Sequence, residues 1–200
     1  MVSGAVLAGG KATRMGKDKA LLRIDGETLL ARAVTSLVEI TDDVLVVGRS
    51  SVPEGVSARA VPDARPGAGS LGGIYSALLA AHTSRCLVVA CDMPFLNRRL
   101  LSYLLDLSAG YDLVIPRLDD LLEPLHAVYA KTCLPPIEAL LARGDLRILD
   151  FFDQVRVRYV DRPEIERFDP HLLSFFNVNT REQLAQALAM LAQAGGKPNL

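Results

Sequence analysis

Between Ala8 and Arg23, five cations (Lys11, Arg14, Lys17, Lys19 and Arg23) stand against one anion, Asp18, and a glycine pair, Gly9-Gly10, precedes them. Glycine has no Cβ, so a turn built on it can aim backbone N–H groups at an anion and take up positive φ. Five positive charges against one on such a segment are the complement of a polyphosphate. Lys19 offers a compact point charge to a phosphate oxygen, and Arg14 a two-pronged grip. Both residue types also commonly lie at a solvated surface. The Walker pattern is not met, because Gly10 and Gly16 are separated by five residues and Asp18 follows Lys17.

Asp92 supplies the opposite charge. It directly follows the apolar run Cys86–Cys91 and precedes Met93-Pro94. A carboxylate at a strand end beside a polyphosphate is where a hard cation would be held. Mg²⁺ takes one or two protein carboxylates and completes its shell with phosphate and water. The other role open to Asp92 is to satisfy N–H groups of the Pro94 turn or of the helix that starts near Asn97.

A second glycine-rich stretch runs from Asp63 to Ile74. Gly67, Gly69 and Gly72 fit G-x-G-x-x-G, and Asp92 lies 20 residues beyond Gly72, as a dinucleotide-binding fingerprint requires. The strand before it ends near Val61, too early for a turn straight off the strand, and Pro66 stiffens the approach. A glycine loop that lets a helix pack close to a base is the preferred reading. Further on, Asn177 and Asn179 flank Val178, so an extended backbone puts both amides on one face. Each offers a donor and an acceptor without charge. Glu123-Pro124-Leu125-His126 reads equally as a pocket lining or as an edge strand opened by a proline. His126 is a hydrogen-bonding pocket residue or a satisfied core histidine. His82 and His171 lack partners at ligand spacing and read as surface residues.

Leu7-Ala8-Gly9-Gly10, Arg14-Met15-Gly16, Asp18-Lys19, Cys91-Asp92-Met93-Pro94, the Pro66–Ile74 loop and Asn177-Val178-Asn179-Thr180 occur in one order. Together they resemble the motifs of nucleotidyltransferases of the nucleotide-diphospho-sugar transferase type, and in particular of molybdenum cofactor guanylyltransferases. The resemblance spans Leu7 to about Leu184. It implies GMP transfer from GTP to the terminal phosphate of molybdopterin-bound molybdenum cofactor, with Mg²⁺ as cofactor. It also implies that Leu7, Ala8, Gly9, Gly10, Lys19, Asp63 and Asp92 bind nucleotide and that Asp92 is the metal ligand. Arg14, Lys19 and Asp92 are then catalytic, and Glu123, Asn177 and Asn179 face the acceptor. Ser70 stands where the family has proline, and Gly48 where some relatives have a base-contacting Asn. A cytidylyltransferase, and a nucleotide-binding module without turnover, are the alternatives.

These groups need a frame. Val2–Leu7, Val44–Val47 and Cys86–Cys91 read as buried strands, the continuous apolar kind found in parallel sheets. Ser57–Val61, Leu113–Ile115 (stopped by Pro116), Ala127–Ala130 and Val155–Val160 read as further strands. Helical spacing predicts Glu27–Glu39, Leu71–Ala81 (capped by Ser70), Asn97–Leu107, Pro136–Ala142, Leu146–Phe152 and Thr180–Ala194. Thr180 and Gln183 form a capping-box pattern. Strands alternating with helices imply an α/β three-layer sandwich with a mostly parallel, Rossmann-like mixed sheet, whose ligands bind at the carboxyl ends of the strands. One domain, residues 1–194, is expected, with a flexible tail at 195–200 and a more open lobe from Arg117 to Asp161.

The composition agrees. Half of the 200 residues are hydrophobic and the net charge is −1, so no global field favours nucleic acid. Cys86, Cys91 and Cys133 show no C-x-x-C spacing and read as free thiols. No basic leader or apolar run of about 18 residues is visible, so no membrane contact is expected and the cytoplasm is the expected site. The resemblance implies GTP and molybdopterin as partners, with transient contact to cofactor-delivering proteins.

Overall fold

Ala5 and Val6 are neighbours, both fully buried, and they belong to opposite hydrophobic cores. Successive side chains of a strand point to opposite faces, so the strand that carries them, β1 (Ser3–Leu7), is covered on both sides. The computed structural model describes residues 1–9 and 18–193. In it β1 pairs in parallel with β4 (Asp43–Val47) on one side and with β6 (Arg85–Ala90) on the other. Beyond β4 lies β5 (Arg59–Val61), also parallel. Beyond β6 come β9 (His126–Ala130), antiparallel, then β7 (Leu113–Leu118), then β10 (Val157–Asp161), parallel to β7. The expected mixed, mostly parallel sheet is the observed one. β10, β7 and β9 lie in that same sheet.

Helices cover both faces. α1 (Leu29–Val38) and α3 (Arg98–Leu107) pack on the Val6 side, through residues such as Leu30, Val34, Leu100 and Leu104. α2 (Gly69–Ala80) and α4 (Leu134–Ala142) pack on the Ala5 side, through Leu71, Ile74, Ile137 and Leu140. A small third core joins the hairpin of β2 (Arg23–Ile24) and β3 (Glu27–Thr28) to the last helix, α6 (Arg181–Gln193), through Ile24, Leu29, Phe95, Val178, Ala187 and Leu191. It draws the segment before α6 against the carboxyl end of the sheet. Asn97 caps α3 by accepting the Leu100 N–H at 3.1 Å. The Thr180–Gln183 box forms in both directions, at 3.1 and 3.2 Å.

Three expectations are corrected. Ser70 is not the cap of α2: that helix starts at Gly69 after Ala68, with no side-chain cap bond, because positive φ at Gly67 and Gly69 turns the chain into it two residues earlier. Pro116 does not stop β7, which runs on to Leu118. β9 pairs with β7 only at Leu113 and Val114, so the proline's missing N–H falls beyond that ladder, and the far end of β7 pairs with β8 (Leu121–Leu122). The short helix expected over Leu146–Phe152 is a run of 3₁₀ turns shifted two residues on, Ile148–Gln154, held by the burial of Phe151 and Phe152. A four-residue helix, α5 (Arg162–Ile165), which the sequence did not suggest, follows β10. The expected tail at 195–200 lies outside the described residues. Among the described residues, no helix is long and apolar enough to cross a membrane.

Candidate nucleotide site

The ends of β1, β4 and β6 are tied at one level. The Cys91 N–H donates to the Leu7 carbonyl at 3.2 Å, and the Ala8 N–H donates to the Val47 carbonyl at 2.9 Å. Each chain then turns outward at the reversal of strand order, where open α/β sheets leave a crevice. Gly9 and Gly48 touch: a Cβ on Gly48 would lie 2.4 Å from Gly9 Cα, and Gly48 has φ +87°. Asp63, two residues past β5, brings Oδ2 to 3.3 Å from the place where a Cβ on Gly9 would stand. A cavity of about 390 Å³ opens here, lined by Ala8, Gly9, Asp18, Gly48, Arg49, Ser50 and Ser51.

The second half of the site is charged. Lys19 Nζ donates to Asn179 Oδ1 at 2.5 Å and lies 3.7 Å from Asp92 Oδ2. The Lys19 and Asp92 side chains are only 28% and 20% exposed, so water screens them weakly. Burial pushes the Asp92 carboxyl above the ordinary value, and the Lys19 ammonium pulls it back. Asn179 reaches this place because Val178 is fully buried in the third core, worth about 1.5–3 kcal/mol. The Val178 N–H also donates to the Asp92 carbonyl at 2.8 Å. A strand-end carboxylate of this kind suits a hard cation that shares phosphate oxygens.

The structure therefore unites Leu7, Ala8, Gly9 and Asp63 in one group, and Lys19, Asp92 and Asn179 in another. Asn177 separates from Asn179 in its bonding, since its Nδ2 donates to the Phe175 carbonyl at 3.0 Å. Glu123 lies between β8 and β9, two residues before Leu125, whose carbonyl accepts the N–H of Ala90 at the end of β6. Burial raises the Glu123 carboxyl. Gly10 and Arg14 lie outside the described residues. Gly72 and Gly73 serve packing. A Cβ on Gly72 would sit 2.7 Å from Ala68 Cβ, and one on Gly73 would sit 3.0 Å from Leu7 Cδ1. Gly73 thus lets α2 approach β1 closely, and Gly72 lets the start of that helix close on Arg65 and Ala68.

His126 is neither a polar pocket residue nor a satisfied core histidine. Both ring nitrogens are buried without a hydrogen-bond partner among the described residues, and the ring packs 4.9 Å from that of Phe175. Burial lowers its pKa to about 3. His82 and His171 are exposed as expected. Burial pushes the Cys91 thiol up to about 12, so it is no nucleophile at neutral pH. Sequence reasoning missed Arg49, whose Nη2 donates to Asp18 Oδ2. Its signal was available: a cation one residue past the glycine that ends the Val44–Val47 run.

Residues 4–157 match the MobA-like NTP transferase domain family. The chain is 40% identical over 191 residues to a probable molybdenum cofactor guanylyltransferase of Pelotomaculum thermopropionicum, covering 94% of this chain and 92% of that one. It is 33% identical over 193 residues to a molybdenum cofactor guanylyltransferase of Desulfosudis oleivorans, covering 95% and 96%. Its fold is similar to the crystal structure of molybdopterin-guanine dinucleotide biosynthesis protein A from Archaeoglobus fulgidus, with TM-score 0.82, 31% identity, and 96% and 99% of the two chains covered. A 2-C-methyl-D-erythritol 4-phosphate cytidylyltransferase from Thermus thermophilus shares the fold at 18% identity and TM-score 0.71, covering 96% of this chain and 100% of that one. Glycine turn, strand-end carboxylate and sheet order thus have one explanation: the chain belongs to the MobA-like NTP transferase family and is a nucleotidyltransferase of molybdenum cofactor biosynthesis.

Proposed function

We propose that the protein transfers GMP from GTP to the terminal phosphate of molybdopterin-bound molybdenum cofactor, in the cytoplasm, and releases pyrophosphate. The observation that carries this reading is the meeting of Lys19, Asp92 and Asn179 beside the glycine turn of β1. An oxygen of the acceptor phosphate attacks the α-phosphorus of GTP. The bond from that phosphorus to the bridging oxygen breaks, and its electron pair leaves on pyrophosphate. The second pKa of a phosphate monoester is about 6, so the nucleophile is already ionised and needs no general base. What remains is positioning and charge neutralisation.

Leu7, Ala8, Gly9 and Gly10 present backbone groups to the nucleoside, and Asp63 contacts it. Lys19, with Arg14, offsets the charge that builds on the departing pyrophosphate. Asp92 is the residue to hold Mg²⁺, which when bound neutralises phosphate charge. Glu123, Asn177 and Asn179 face the acceptor, which a delivering protein hands over in a transient contact. The test is a panel of nucleoside triphosphates with Mg²⁺, read by thermal shift and by pyrophosphate release on adding molybdenum cofactor. Stabilisation by GTP alone and acceptor-dependent release support the reading. Stabilisation by CTP instead favours cytidylyl transfer, and binding without release a protein that does not turn over.

A further inference from the structure

Arg49 carries no role in the reaction as set out above, yet it occupies a controlled position. It follows Gly48, the residue in contact with Gly9, and its side chain is only 18% exposed. Its Nη2 donates to Asp18 Oδ2. The other carboxylate oxygen, Asp18 Oδ1, accepts the Ala20 N–H at 3.1 Å and caps the 3₁₀ turn Lys19–Leu21. The Leu21 N–H to Asp18 carbonyl bond, 3.1 Å, and the Leu22 N–H to Lys19 carbonyl bond, 3.0 Å, complete that turn. With both oxygens of Asp18 engaged, the direction in which the next residue leaves the backbone is fixed. That residue is Lys19, whose Nζ reaches Asn179 and Asp92. Gly48 and Arg49 thus hold Gly9 and Asp18, which stand on either side of residues 10–17 in sequence. An exposed ion pair would carry little weight. This one is largely buried on the Arg49 side and shares its carboxylate with a backbone cap.

We propose that Arg49 is a positioning residue of the nucleotide site: through Asp18 it fixes the turn that aims Lys19 at the triphosphate. The proposal rests on the nucleotide reading above for its ligand, but not for its geometry.

Arg49→Met and Arg49→Lys separate these roles. The measurements are calorimetric titration with GTP and with GMP in Mg²⁺, melting temperature, and amide hydrogen exchange at Leu21 and Leu22 without nucleotide. In Arg49→Met the affinity for GTP should fall about tenfold while that for GMP changes less than about twofold, as expected when one charge-assisted contact near the outer phosphates is misplaced. The Leu21 and Leu22 amides should exchange faster at an unchanged melting temperature, and Arg49→Lys should regain most of the GTP affinity. Unchanged exchange at Leu21 and Leu22 would overturn the proposal. So would parallel loss of GTP and GMP binding with a lower melting temperature, which marks a merely structural pair. A wild-type protein that binds neither nucleotide would defeat the guanylyl-transfer reading alone, and the exchange rates would still decide whether Arg49 holds the turn.

Discussion

The ammonium of Lys19 lies 3.7 Å from a carboxylate oxygen of Asp92. One residue sits on a 3₁₀ turn after the glycine segment and the other just past a central strand. Each is held by a separate device: Lys19 by the Asp18 cap and Asn179, Asp92 by its place at the end of β6 and by the Val178 amide on its carbonyl. A cation and an anion kept this close, each less than a third exposed, are what the proposed metal-bound triphosphate would meet.

Asp92→Asn should abolish pyrophosphate release and leave the melting temperature at neutral pH equal to or above that of the wild type. Burial raises the Asp92 carboxyl pKa in the folded protein. The folded state therefore binds more protons than the unfolded one just above the ordinary carboxylate pKa, and stability falls as pH rises through that window. Asparagine removes that loss. Thermal melts of both proteins from acid to neutral pH check the sign, and full activity in the variant would refute the proposed metal role of Asp92.

Lys19→Glu should weaken GTP binding more than GMP binding, because the proposed role of its charge is at the outer phosphates, which GMP lacks. Equal losses would place Lys19 elsewhere. The same change sets two carboxylates against each other, so the Asp92 pKa should rise further, which a shift of the pH–activity profile would report.

Gly48→Ala should destabilise the fold by roughly 2 kcal/mol or more and impair nucleotide binding. Gly48 has φ +87°, and a Cβ there would meet Gly9 backbone at 2.4 Å, where nothing can yield cheaply. Gly26→Ala is the control. Its φ is +81° but nothing lies within 4 Å of a Cβ, so only the backbone cost of about 1 kcal/mol applies. Chemical denaturation of the pair separates strain from collision.

His126→Leu should flatten the loss of stability on acidification. The folded pKa of His126 is about 3 against an ordinary 6.5, so the unfolded chain takes up the extra proton and stability falls as pH drops below 6.5. The wild type should lose about 1.4 kcal/mol per pH unit relative to the variant in that window. Parallel stability curves for the two proteins between pH 7 and 5 would refute it.

Much of this molecule was legible in its chain. The runs Val44–Val47 and Cys86–Cys91 gave central strands, because continuous apolar stretches are what a doubly covered sheet needs. Asn97 and the Thr180–Gln183 pair gave helix starts, because caps are local hydrogen bonds. Ser70 and Pro116 misled for one reason: their effect depends on what the neighbouring backbone does, positive φ before α2 in the first case and the end of the β9 ladder in the second.

The sequence by itself determined the chemistry on offer, the cationic glycine stretch, the strand-end Asp92 and the Asn pair, and the class of fold that would present them. Those are properties of residue type and short-range period. Only the tertiary structure decided that Asn179, not Asn177, joins Lys19, that His126 is buried without a polar partner among the described residues, and that Arg49 grips Asp18. These pairings span up to 160 residues. They are fixed by how strands stack and cores close, which local pattern does not encode.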